Sequence, residues 1–329
     1  MAFPLVPMKL SDLFDRTFRL LGRTVGRSAI IALILLAPTA LLFSFSLGSF
    51  FDSLVGLAQG PYDLEPPDMN QLGGMFGALA LMGFTGVLFG IAQLGAYLGI
   101  TYLGCAEFSG QSVTWEEALR KGVGLPLLRA IGVSLLMGLA FVALLILPYL
   151  LIIGGAVAKS SALGGIGILL MVGALGVVLF LAMRWNFTYQ TIVFEESPVM
   201  NSFRRSWDLV EGNWWRVFGI MILFGLMVDF AISLLLTPLT FIVLWDFFSE
   251  YFKLLGDISS GESDPGAFLQ VFKSMGPGLG FLIAADAILT TLIAPLYSVA
   301  LYFDLRARRG EFNQATGQGE TPAAPAPLA

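Results

Sequence analysis

The chain predicts an all-α polytopic membrane protein: six transmembrane helices arranged as three helical hairpins, with cytoplasmic amphipathic helices. Three observations carry that reading. Of 329 residues, 57% are hydrophobic and 12% charged, against ~25% charged in an ordinary soluble domain. The apolar residues lie in blocks long enough for helices that cross the ~30 Å hydrocarbon core, which takes ~20 residues. The basic residues are also sorted by side. Of the 18 Lys and Arg residues, only Lys159, Lys253 and Lys273 fall opposite the N-terminus. Cytoplasmic loops carry such an excess, so the chain reads as a multi-pass protein of the cytoplasmic membrane with both termini cytoplasmic.

The elements follow in order. The first nine residues read as frayed. Ser11 caps an amphipathic helix in which Leu10, Leu13, Phe14, Phe18, Leu21 and Val25 form an apolar stripe, and Arg16, Arg19, Arg23 and Arg27 a basic side. Asp12 with Arg16, and Asp15 with Arg19, are spaced for one-turn ion pairs. Span one, about Ser28 to Phe51, carries Pro38. Ala37 and Ala40 loosely resemble a signal-cleavage site, but the charged segment before them is long and amphipathic. The apolar run also continues past them, so span one is an uncleaved anchor.

Residues 52 to 71 form an acidic loop with three prolines, and span two runs from about Leu72 to Cys105. Its pairs Gly86/Gly90 and Gly95/Gly99 suit close helix approach, within the bundle or in a homodimer. Thr114 and Glu117 make a capping box, and a short helix through Arg120 and Lys121 enters span three, about Leu125 to Ile153, with Pro148. After a Gly-rich turn at Lys159, span four covers about Leu163 to Tyr189.

Residues 197 to 216 are the densest cluster of charge and tryptophan. Ser197 reads as a helix N-cap and Pro198 as the first helical residue. Val199, Phe203, Trp207 and Val210 share one apolar face, Gly212 ends the helix, and Trp214, Trp215 and Arg216 lead into span five, about Trp214 to Trp245, with Pro238. At 1.5 Å per residue its ~48 Å exceeds the bilayer core. Residues 246 to 277 form the longest connection, where Phe268, Phe272 and Met275 suggest a second surface helix. Gly276-Pro277-Gly278-Leu279-Gly280 reads as a hinge into span six, about Gly278 to Phe303, and not as a phosphate loop, lacking the Lys-Ser/Thr ending. Residues 313 to 329, rich in Ala, Pro, Gln and Gly, form a disordered cytoplasmic tail behind a membrane domain of residues 1 to 312.

The membrane domain divides into three units, about 10–110, 111–196 and 197–312. Each runs amphipathic helix, outward span with a late proline (Pro38, Pro148, Pro238), loop and inward span. The inward spans share aromatic and polar endings: Tyr97 to Glu107, Trp185 to Glu195, Tyr297 to Arg306.

Val193-Phe-Glu-Glu-Ser-Pro198 followed by Arg204-Arg-Ser-Trp-Asp-Leu-Val-Glu-Gly-Asn213 resembles the central motif of a bacterial and archaeal family. This is the membrane domain associated with some glycerophosphoryl diester phosphodiesterases, together with its uncharacterised stand-alone relatives. The opening Leu10-Ser-Asp-Leu-Phe-Asp15 and the closing Leu301-Tyr-Phe-Asp-Leu-Arg-Ala-Arg-Arg309 resemble that domain's two ends. In fused members, catalysis resides in a separate soluble barrel whose chemistry uses histidine. The resemblance therefore implies the fold and not the hydrolase.

Composition narrows the chemistry. The chain has no histidine and one cysteine, Cys105. The commonest general acid–base, the commonest metal ligand and any internal disulfide are thereby removed. No cofactor, metal or catalytic set is expected, and no nucleic-acid partner. Two candidate sites remain. Asp229 and Asp286 lie inside spans five and six, where an ionisable group is costly and by default functional. They either serve a wet or proton-carrying path, or sit on the polar outer rim beside Ser233, Thr237, Thr290 and Thr291. Arg204, Arg205, Trp207, Trp214, Trp215 and Arg216 form a collar that either binds anionic lipid headgroups or anchors the span at the interface. The leading reading is a non-enzymatic membrane protein that acts through membrane lipids, or as a scaffold for a membrane-protein partner or a second copy. The alternative is a small secondary transporter or channel using the two aspartates.

Overall fold

The computed structural model describes residues 3–58, 69–260 and 265–312, and these residues form helices and short connections. The helices are α1 (Leu10–Ala58), α2 (Met69–Phe108), α3 (Trp115–Val123), α4 (Leu125–Val157), α5 (Ser161–Arg184), α6 (Thr188–Phe194), α7 (Val199–Val210), α8 (Trp214–Val243), α9 (Trp245–Ser260) and α10 (Pro265–Arg308). Six stretches are long and apolar enough to cross a membrane, in α1, α2, α4, α5 with α6, α8 and α10. The protein is a multi-pass helical membrane protein.

The three longest helices pack on one another, α1 against both α10 and α2, and α10 against α2. At 1.5 Å per residue, the 49 residues of α1 reach ~73 Å, more than twice the hydrocarbon core. Their buried residues, including Ile31, Leu36, Ala96, Leu103, Leu296 and Tyr302, make the main core. Glycines set the closest approaches. A Cβ on Gly280 would stand 2.5 Å from the Ser44 Cα, and one on Gly276 3.1 Å from the Gly48 Cα. Likewise a Cβ on Gly122 of α3 would stand 2.5 Å from the Gly95 carbonyl oxygen and 2.9 Å from the Gly99 nitrogen. The Gly95/Gly99 pair thus packs inside this chain, whereas Gly90 faces open space. Between α1 and α2, Ser46 and Thr85 hydroxyls are hydrogen-bonded at 2.6 Å.

The α4–α5 pair stands apart. The two helices meet at Gly155 and Gly164 and at Gly167 and Ile152, but only 6% of each membrane-crossing window is buried. Most of their leucines and valines are exposed on the bundle surface, although Val133 is buried.

Several sequence expectations are corrected. The amphipathic segment and span one are a single helix that runs through Pro38 to Ala58. The segment before it is held, not frayed: Phe3 and Met8 are buried, and the Phe3 N–H donates to the Phe108 carbonyl. α7 begins at Val199 with Pro198 as its cap residue, and the Ser197 side chain does not cap it. The N–H of Ser197 instead donates to the Thr191 carbonyl. The buried face of α7 is Ser202, Ser206, Leu209 and Val210; Val199, Phe203 and Trp207 are only half-buried. The expected connection 246 to 277 is occupied by α9 and the first turns of α10. The Gly276–Gly280 stretch lies inside α10 as a packing seam, not a hinge. The side chains of Phe268 and Phe272 lie outside the described residues, as do Asp63, Glu65 and Asp68 of the acidic loop and the tail 313 to 329.

Candidate functional site

The basic residues gather at one end of the bundle, where four carboxylates are each held by arginine. Glu107, at the end of α2, accepts from Arg27 at 2.9 Å, with Arg23 at 3.9 Å. Glu195, just after α6, accepts from Arg205 at 3.1 Å and from the Tyr302 hydroxyl. Glu311 bridges Arg205, at 2.8 Å, and Arg306, at 2.7 Å. Asp304, in the last turns of α10, is 0% exposed and accepts from Arg216 and Arg308, each at 3.0 Å, and from the Met8 N–H at 2.6 Å. Both of those guanidiniums also donate to the Met8 carbonyl at 2.8 Å. The N-terminal segment is thereby tied to α8 and α10. Arg205 shows the balance of forces: burial lowers its pKa, but Glu195 and Glu311 more than reverse this and raise it overall.

The collar therefore divides. Arg205 and Arg216 are spent on internal carboxylates. Trp207 lies beneath the Arg184 guanidinium, 4.6 Å from its ring centroid, and Arg184 also donates to the Trp207 carbonyl at 3.2 Å. Trp214 stacks on Phe180 and Phe218, and its indole N–H donates to the Phe180 carbonyl at 3.3 Å. Arg204 and Trp215 point outward. Arg204 is exposed and makes no ion pair among the described residues, and Trp215 is 77% exposed.

Asp229 and Asp286 are both exposed on the bundle surface. Among the described residues neither makes a hydrogen bond or ion pair, with each other or with Ser233, Thr237, Thr290 or Thr291. Thr237 instead donates to the Ser233 carbonyl. Asp229 lies within electrostatic reach of Tyr297. Neither aspartate lines a cavity among those described here.

A cleft of about 570 Å³ lies between α2, α4, α6 and α10. Its walls are mostly aliphatic, with Gln93, Tyr97, Ser134, Tyr189, Thr290 and Thr291 among them. Ser134 and Tyr189 hydroxyls are hydrogen-bonded at 2.9 Å, and Ser134 donates to the Ala130 carbonyl. Behind Tyr97, the buried Gln190 donates to Ser298 at 2.6 Å. The side chains of Gln93, Thr290 and Thr291 make no hydrogen bond among the described residues, and an unmade bond at an apolar site costs ~1–3 kcal/mol. A smaller apolar cavity of about 110 Å³ lies between α1, α8 and α10 beside Phe224 and Leu296.

Sequence reasoning missed the clamps and the cleft. The clamp carboxylates had a signal, the shared aromatic and polar endings of the inward spans. For the cleft, the only signal was polar residues such as Gln93 inside apolar blocks.

Residues 22–305 match the model of a domain of unknown function, DUF7847, so the chain belongs to that family. Searches of curated proteins and of solved structures found no match.

Proposed function

We propose that this DUF7847 member is a non-enzymatic protein of the cytoplasmic membrane that works through contact with anionic lipids of the inner leaflet. It has three helical hairpins, and both termini lie in the cytoplasm. The observation that carries the reading is the division of the collar. Arg205 and Arg216 are bound to carboxylates, whereas Arg204 and Trp215 project outward at the same end. An unpaired guanidinium beside an exposed indole suits a headgroup and the interface it sits in. The excess of Lys and Arg at this end supports its cytoplasmic side. The motif's resemblance to the phosphodiesterase-associated membrane domain belongs to the same proposal. Transport is disfavoured because neither Asp229 nor Asp286 lines the cleft.

Native mass spectrometry of the protein with bound phosphatidylglycerol tests the reading. Arg204→Gln removes one surface charge worth ~1 kcal/mol, so retention falls about fivefold. Arg205→Gln lowers stability and leaves retention near wild type. Equal retention in wild type and Arg204→Gln contradicts the proposal.

A further inference from the structure

The cleft between α2, α4, α6 and α10 has the makings of a ligand site of a different kind from the collar. Ile131, Ser134 and Leu135 of α4 line it, six to ten residues into the helix, so it lies about 9–15 Å along α4 from its basic end. That is membrane depth. Its volume falls within the ~300–1,000 Å³ of small-molecule sites.

Two features select the ligand. No Asp, Glu, Lys or Arg lines the cleft. A charged headgroup at that depth would have no counter-charge and would be expelled. Hydrogen-bonding groups do line it, and some are unmade. Thr291 is 2% exposed, yet its hydroxyl has no partner among the described residues and borders the cleft. Thr290 and the Gln93 carboxamide, beside it on the α2 and α10 walls, are likewise unpartnered, and together they offer both donors and an acceptor. On the opposite wall, Ser134 donates to the Ala130 carbonyl and shares a hydrogen bond with Tyr189, so an oxygen lone pair there can still accept. The geometry points to a neutral amphiphile held in this cleft: a lipid whose polar end carries hydroxyl or carbonyl oxygen without formal charge, with its chain leaving along the aliphatic walls into the bilayer.

The test uses the full chain in phosphatidylcholine nanodiscs with two photo-crosslinking probes at equal mole fraction, a diazirine diacylglycerol and a diazirine phosphatidylglycerol. Adducts are mapped by peptide mass spectrometry. Diacylglycerol adducts concentrate on the cleft segments of α2, α4 and α10 over the lipid face of α5. A Cβ at Gly90 meets nothing within 4 Å, so Gly90→Leu fills the cleft from its own wall and lowers those adducts about tenfold. Gly176→Leu, on the open face of α5, leaves them unchanged. Thr291→Val removes the hydroxyl at nearly constant shape and lowers them about fivefold; it decides the matter if Gly90→Leu unfolds. Adducts spread evenly over the lipid faces overturn the site, as do adducts unchanged in both cleft variants. Equal labelling of the cleft by phosphatidylglycerol overturns the uncharged headgroup. Arg204→Gln leaves diacylglycerol labelling intact, so failure of the cleft and failure of the collar are read separately.

Discussion

Asp304 is the residue on which most of the basic end depends. Its carboxylate, closed from solvent, receives two guanidiniums and the Met8 N–H. Removing one partner of a buried pair leaves charge uncompensated and costs ~3–5 kcal/mol. Because Arg216 and Arg308 keep some solvent contact, Asp304→Ala is expected to cost about 3 kcal/mol, read as a lowered Tm in detergent. An unchanged Tm contradicts the clamp. Lys121 and Glu196 form an exposed pair at 2.5 Å. The hydrogen bond with Glu196 raises the Lys121 pKa, and Lys121 holds Glu196 below its ordinary 4.5. A depressed carboxylate contributes stability above its unfolded pKa and loses it as pH falls through the folded one. A raised amine contributes below its unfolded pKa and loses it as pH rises through the folded one. The stability difference between wild type and Lys121→Gln is therefore small, level from roughly pH 5 to 10, and shrinks on either side. A difference that grows at pH 4 contradicts this pair.

Among the elements, the α1–α10 seam carries the packing. Gly280 has no room for a side chain against Ser44, so Gly280→Val forces the helices apart and costs about 3 kcal/mol. Gly225, on α8, meets nothing within 4 Å, and Gly225→Ala leaves Tm within about 2 °C. Parallel thermal melts compare the two, and equal loss of stability contradicts the seam. The six spans were legible in the sequence because apolar blocks of this length have one stable solution in a bilayer. The Gly276–Gly280 stretch misled because glycine and proline look alike as hinge and as helix seam until the neighbour is known. α1 and α8 continue through Pro38 and Pro238 because within membrane helices neighbours and side chains re-satisfy the freed backbone groups. The collar was visible as composition, but which arginines face inward depends on Glu195, Asp304 and Glu311, which are distant in sequence from most of their partners. The cleft was invisible because its polar residues come from four helices.

For the whole molecule, a closely packed group of three long helices meets an α4–α5 pair with fewer contacts to it, with the cleft at their junction. Asp229 and Asp286 stand outside this plan. Asp229→Asn with Asp286→Asn leaves stability within about 0.5 kcal/mol of wild type and leaves lipid retention unchanged; a large loss in either assigns them a role the bundle does not explain. The central claim is that the clamped basic end faces the cytoplasm, since the collar, the inner-leaflet lipids and both termini depend on it. Single-cysteine labelling in intact cells tests it most directly, in a Cys105→Ser background with a membrane-impermeant maleimide. Arg204→Cys and Arg309→Cys should label only after permeabilisation, whereas Lys159→Cys and Lys253→Cys should label in intact cells. Labelling of position 204 or 309 in intact cells, with 159 and 253 protected, would contradict the account.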